Sequence, residues 1–76
     1  MTIVDWSRCF SEKLNELMVD RRITQHELAK DSGVSAGSIS AYVRGESLPG
    51  IKAILNLSFA LDVSVDELID FGDTID

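Results

Sequence analysis

With 76 residues, the chain has room for one domain around a single small core. One cysteine and one histidine exclude an intrachain disulfide and a Cys/His zinc cluster, and no apolar stretch approaches the roughly 20 residues that span a bilayer. A net charge of −6 weighs against a nucleic-acid partner, yet residues 1–61 hold seven acidic and seven basic side chains, so all six excess negative charges lie in residues 62–76.

The N-terminus lacks a basic region followed by an apolar run, so a cytoplasmic location is expected. A first helix is predicted from about Asp5 to Asp20, where Trp6, Phe10, Leu14, Leu17 and Met18 form one apolar stripe at helical spacing. Cys9 stands one turn beyond Trp6 and reads as a small, semi-buried filler. A redox thiol in its place would need a nearby cation, and only Arg8 and Lys13 are close in sequence. Arg21 and Arg22 link this helix to the next.

Thr24 starts a second helix: its hydroxyl can cap free backbone N–H groups, Glu27 completes a capping box, and Ile23 with Leu28 make the hydrophobic staple. Gly33 suits the C-terminal turn. Only Val34 separates it from Ser35, which starts a third helix with Ser38 at its third position and Val34 and Ile39 as staple. Ile39, Tyr42 and Val43 recur at helical spacing, and Gly45 is the stop. Two helices joined by so short a turn cross steeply and leave the first turn of the second projecting outward.

A loop from Gly45 to Pro49 leads to a fourth helix, whose buried face is predicted as Ile51, Ile54, Leu55, Ser58 and Leu61. Val63, Ser64, Glu67 and Leu68 repeat the staple and capping pattern for a short fifth helix. No strand signal is present. The expected class is all-α, a compact five-helix domain over residues 1–70 followed by an acidic C-terminal tail, 71–76.

The run Thr24, Gln25, Leu28, Ala29, then Gly33, Val34, Ser35, then Ile39, Ser40, Tyr42, Arg44, Gly45 resembles the lambda-repressor-like (Cro/repressor-type, XRE) helix-turn-helix family. The similarity continues through Pro49, Leu55, Ala60, Leu61, Val63, Ser64, Asp66, Glu67 and Leu68, so it covers roughly residues 10–69. It implies a bacterial or phage transcriptional regulator that binds double-stranded operator DNA as a homodimer with helix 3 in the major groove. A helix-turn-helix module for protein contacts is the alternative, since the fold does not decide between them.

By that resemblance Gln25 bonds a DNA phosphate and buttresses the reading helix, against a plain reading as an exposed polar residue. Ser35, Ala36, Gly37, Ser38 and Ala41 take the base-contact positions. All are small, and none makes the bidentate base contacts of Arg, Lys, Asn or Gln, so sequence would be read softly, with DNA shape contributing. Arg44, Ser47 and Lys52, with the N–H groups near Gly50 and Ile51, are the phosphate contacts; Glu46 between them would repel a phosphate. Tyr42 is expected to pack against helix 4.

The resemblance also exposes departures. Many members pair an Arg at the position of Met18 with an acid at that of Val43; here both are apolar and are expected to pack together. Phe59 replaces a usually polar residue and is either a lone surface aromatic, a ring covered by the C-terminal tail, or part of a dimer or partner surface, to which Phe71 and Ile75 could add. No carboxylate pair is tied to a nucleophile or phosphate loop, and His26 begins His-Glu-Leu-Ala without the second histidine of a zinc protease. Catalysis, a cofactor and a small-molecule ligand are therefore not expected.

Overall fold

The computed structural model describes residues 3–70, and these form five helices with no strand. They are α1 (Ile3–Asp20), α2 (Gln25–Ser32), α3 (Ala36–Val43), α4 (Ile51–Leu61) and α5 (Val65–Leu68). The first begins two residues before its expected start, within the usual uncertainty of a helix end. The segment 71–76, with Phe71 and Ile75, lies outside the described residues.

The α1 stripe packs as its spacing demands: Phe10, Leu14, Leu17 and Met18 are buried, and Trp6 is half-buried. Cys9 is fully rather than partly buried. Against this stripe stand Leu28 of α2, Ile39 and Tyr42 of α3, Leu57 and Leu61 of α4, and Leu68 of α5. Met18 belongs to this core, and Val43 packs against the core half-buried.

Tyr42 is buried in one cluster with Leu57 and Leu61 of α4, and its ring stands edge-on to Phe10 of α1, centroids 6.1 Å apart. The expected buried face of α4 is corrected in part. On α4 the buried face is Leu57, Ser58 and Leu61, with Ile54 half-buried, while Ile51 and Leu55 are 81% and 53% exposed. Their stripe is one step out of phase with the core, and Phe59, 87% exposed, extends it. Residues 51, 55 and 59 are four apart, so α4 presents an apolar line to solvent.

Helix ends are closed by main-chain bonds that follow one scheme three times. After α1, Ile23 N–H bonds the Met18 carbonyl at 3.0 Å and Arg22 N–H that of Val19 at 3.1 Å. After α3, Glu46 N–H bonds Ala41 and Gly45 N–H bonds Tyr42. After α4, Val63 N–H bonds Ser58 and Asp62 N–H bonds Phe59. Each is a Schellman turn with a left-handed residue at its corner, namely Arg22 (φ 55°), Gly45 (φ 74°) and Asp62 (φ 56°). Only one of these corners has the residue that adopts positive φ without strain.

Candidate nucleic-acid interface

The N-terminus of α2 is fixed by a complete capping box. Glu27 N–H bonds the Thr24 hydroxyl oxygen at 3.1 Å, and Thr24 N–H returns a bond of 3.1 Å to the Glu27 carboxylate. Those bonds hold the Glu27 carboxyl below its ordinary value, the Thr24 main-chain N–H being the larger cause and the Thr24 hydroxyl the next. Gln25, the next residue after the cap, is the first of the helix and is exposed.

Gly33 ends α2 in the left-handed region, φ 75°, with its N–H on the Ala29 carbonyl at 3.0 Å. Val34 N–H then bonds the Ser32 hydroxyl at 3.1 Å, and Ser35 caps α3 by accepting from Ser38 N–H at 3.2 Å. The turn of the helix-turn-helix is thus three residues whose main chain is bonded at each end. It sets α3 against α2 and α1.

In the first turn of α3, Ser35, Ala36 and Gly37 are exposed; Ser38 and Ala41 are half-buried. The Ser35 and Ser38 hydroxyls are hydrogen-bonded to each other at 2.9 Å. A Cβ added at Gly37 would meet no atom within 4 Å. The fold therefore does not require glycine there.

The C-terminal end of α3 is held by α1. Ser11 donates its hydroxyl to the Val43 carbonyl, and the Asn15 amide donates to the same oxygen at 3.2 Å. That carbonyl is one of the four a helix leaves without an internal partner. Composition offered only a weak signal for this pair: two small polar residues four apart on α1, on the side facing α3.

Arg44 is exposed but already engaged. Its Nε and Nη2 bond the two carboxylate oxygens of Glu46 at 3.0 and 2.9 Å, and its Nη1 donates to the Ser40 hydroxyl. Glu46 raises the Arg44 guanidinium above its ordinary value, and Arg44 holds the Glu46 carboxyl below its own, through their hydrogen bonds first and their charges second. Glu46, expected to repel a phosphate near Arg44, is itself a ligand of that arginine.

Lys52 is exposed on the first turn of α4, and Ser47 is half-buried in the loop before it. Gly50 caps that helix without a side-chain bond, so the opening N–H groups have no acceptor from the cap residue. Among the described residues no group of His, Cys, Asp and Glu could hold a metal ion, and no helix is long and apolar enough to cross a membrane. The apolar line on α4 ends in a groove between α4 and α5 lined by Leu55, Phe59, Asp62, Val63 and Val65.

Known proteins share this arrangement. A family model described as a Cro/C1-type HTH DNA-binding domain matches residues 13–73. The uncharacterized HTH-type transcriptional regulator YqaE of Bacillus subtilis (strain 168) is 35% identical over 60 residues, 79% of this chain and 52% of YqaE. The cryptic phage CTXphi transcriptional repressor RstR of Vibrio cholerae is 31% identical over 65 residues, 86% of this chain and 59% of RstR. This chain therefore spans little more than half the length of these two curated relatives. The crystal structure of the restriction-modification controller protein C.AhdI from Aeromonas hydrophila matches with a TM-score of 0.75 at 32% identity, covering 79% of this chain and 91% of that one.

Proposed function

The chain belongs to the Cro/C1-type helix-turn-helix family of DNA-binding transcriptional regulators, and from that membership we propose that it binds operator DNA as a homodimer and represses transcription. Helix α3 enters the major groove, with Ser35, Ala36, Gly37, Ser38 and Ala41 toward the bases. Gln25, Ser47, Lys52 and the uncapped start of α4 hold the phosphates on either side.

The observation that carries this reading is the first turn of α3, fixed by caps and turns, with Ser35, Ala36 and Gly37 exposed, small side chains and, among the described residues, an unfilled space at Gly37. Charge distribution supports it as well. The acidic α5, with Asp66 and Glu67, packs on α4 and α1, whereas α3 packs on α1 and α2. The apolar line Ile51, Leu55 and Phe59 supports a second copy as the partner of α4, which would set two α3 helices about 34 Å apart in successive major grooves.

The role as repressor follows the repressor RstR among the relatives. The alternative of a protein-contact module is favoured by one observation, the neutralised Arg44. Fluorescence anisotropy with random and genomic duplexes, over a range of salt, separates them. The regulator reading expects affinity to fall with salt and Lys52→Ala to lower the slope of log affinity against log salt by about 0.9. No binding at about 50 mM salt, where phosphate attraction is strong, favours the contact module.

A further inference from the structure

Ala36, Ser40 and Arg44 stand four residues apart and so follow one line along α3, from the turn assigned to the bases to its C-terminal end. At the end of this line the side-on edge of the Arg44 guanidinium is occupied, and Nη1 is engaged as well. Glu46 takes Nε and Nη2 in the side-on, two-bond geometry that a phosphate would use, and the Ser40 hydroxyl takes Nη1. The pair is exposed, with side chains 55% and 59% accessible, so water and ions reach it.

We propose that Glu46 is an internal stand-in for a DNA phosphate: it occupies the anion site of Arg44 and lowers the affinity of α3 for DNA. This rests on the DNA-binding reading above. A phosphate reaches the side-on edge of the guanidinium, Nε and Nη2, only by displacing the Glu46 carboxylate, a like charge that must then turn away. The arrangement subtracts one phosphate contact from non-specific binding, where nothing else compensates. It thereby suits a reading helix whose small side chains offer little base discrimination. Salt-bridged surface arginines are common and most contribute little to stability; what distinguishes this one is its place on the reading helix and the bidentate match.

Two measurements test the proposal. The first is a double-mutant cycle on a random duplex, read by anisotropy. Glu46→Gln is expected to tighten binding about three- to tenfold and to steepen the salt slope by about 0.9, one added phosphate contact. In an Arg44→Gln background the same change is expected to leave slope and affinity within about twofold. Equal gains in both backgrounds would mean that Glu46 acts only as a diffuse charge, and no gain in either would mean that it blocks nothing; both overturn the proposal.

The second measurement does not use DNA. The Arg44 Nε–H resonance is followed while inorganic phosphate is added to the wild-type protein and to Glu46→Gln. A shift confined to Glu46→Gln is expected. If neither protein binds DNA but this difference is seen, the DNA reading fails and the blocked anion site stands. If DNA binds and phosphate moves the resonance equally in both, the blocked site is wrong.

Discussion

The hydroxyl of Ser11 on α1 donates to the main-chain carbonyl of Val43, the last residue of α3. Asn15 bonds the same oxygen, and Gly45 just beyond lies against Ser7, Arg8 and Ser11. The end of α3 is thus docked by polar contacts to a carbonyl, while Val43 packs half-buried against the core to which Met18 belongs. Ser11→Ala removes a part-buried bond and leaves that carbonyl to Asn15 alone. It should lower the unfolding free energy by about 1 kcal/mol in urea titration. An unchanged midpoint would show that the bond is not made in solution.

A second prediction concerns the corner of the α4 turn. Asp62 holds φ 56° and places a negative charge at the C-terminal end of the α4 dipole. Asp62→Gly relieves both but frees the unfolded chain, so a net gain of about 0.5 kcal/mol is expected. It should appear as a higher urea midpoint at unchanged m-value. A lower midpoint would mean that the Asp62 side chain stabilises the turn in a way its backbone conformation does not reveal.

Acid should loosen the start of α2. The Glu27 carboxyl is held below its ordinary value of 4.5, first by the Thr24 main-chain N–H and then by its hydroxyl. A group whose folded value is depressed adds stability at pH above its unfolded value and loses it as pH falls through the folded one. Stability should therefore drop as pH is lowered from about 5 toward 3, with Glu46 adding in the same direction through Arg44. In Glu27→Gln the drop should be shallower. Parallel pH profiles for the two proteins would place Glu27 outside its box in solution.

How far the sequence foretells this molecule depends on which signal each element carries. Thr24, Gly33, Ser35, Gly45 and Ser64 each mark a boundary by local chemistry, and α2, α3 and α5 lie where those marks put them. Helix α4 has no such help with its rotation. Ile51, Ala53, Ile54, Leu55, Leu57, Phe59, Ala60 and Leu61 cover most of its circumference, so periodicity alone cannot choose which side meets α2 and α5. Ile54, Ser58 and Leu61 lie on the inner face as expected, whereas Ile51 and Leu55 turn outward and Leu57 is wholly buried in their stead. The state of Arg44 was hidden for a related reason: whether Glu46 repels a phosphate or binds the arginine depends on a turn geometry that residue types do not specify.

The misassigned stripe leads to a prediction about assembly. Ile51, Leu55 and Phe59 give α4 an uninterrupted apolar line in water, at 53% exposure or more. Phe59→Glu should leave the fold intact, because the ring touches little of the core. If the line is the seat of a second copy, a buried carboxylate there is costly, and sedimentation should show a monomer where the wild-type protein is a dimer. Binding to a two-half-site duplex should weaken far more than binding to a single half-site. A dimer that persists in Phe59→Glu would move the contact elsewhere.

Gly37 brings stability and function into opposition. Its backbone is helical, since it is not among the positive-φ glycines, and a Cβ there meets no atom of the protein within 4 Å. Alanine loses less backbone entropy in a helix, so Gly37→Ala should stabilise the domain by about 0.5 kcal/mol, a modest gain because the position lies in the first turn. If the α3 turn meets the DNA closely, the added methyl fills the space that the glycine keeps open. Affinity for the operator should then fall about tenfold while affinity for random duplex, which depends on phosphates, changes little. A more stable Gly37→Ala that binds both DNAs as well as wild type would mean that the first turn of α3 does not approach the bases.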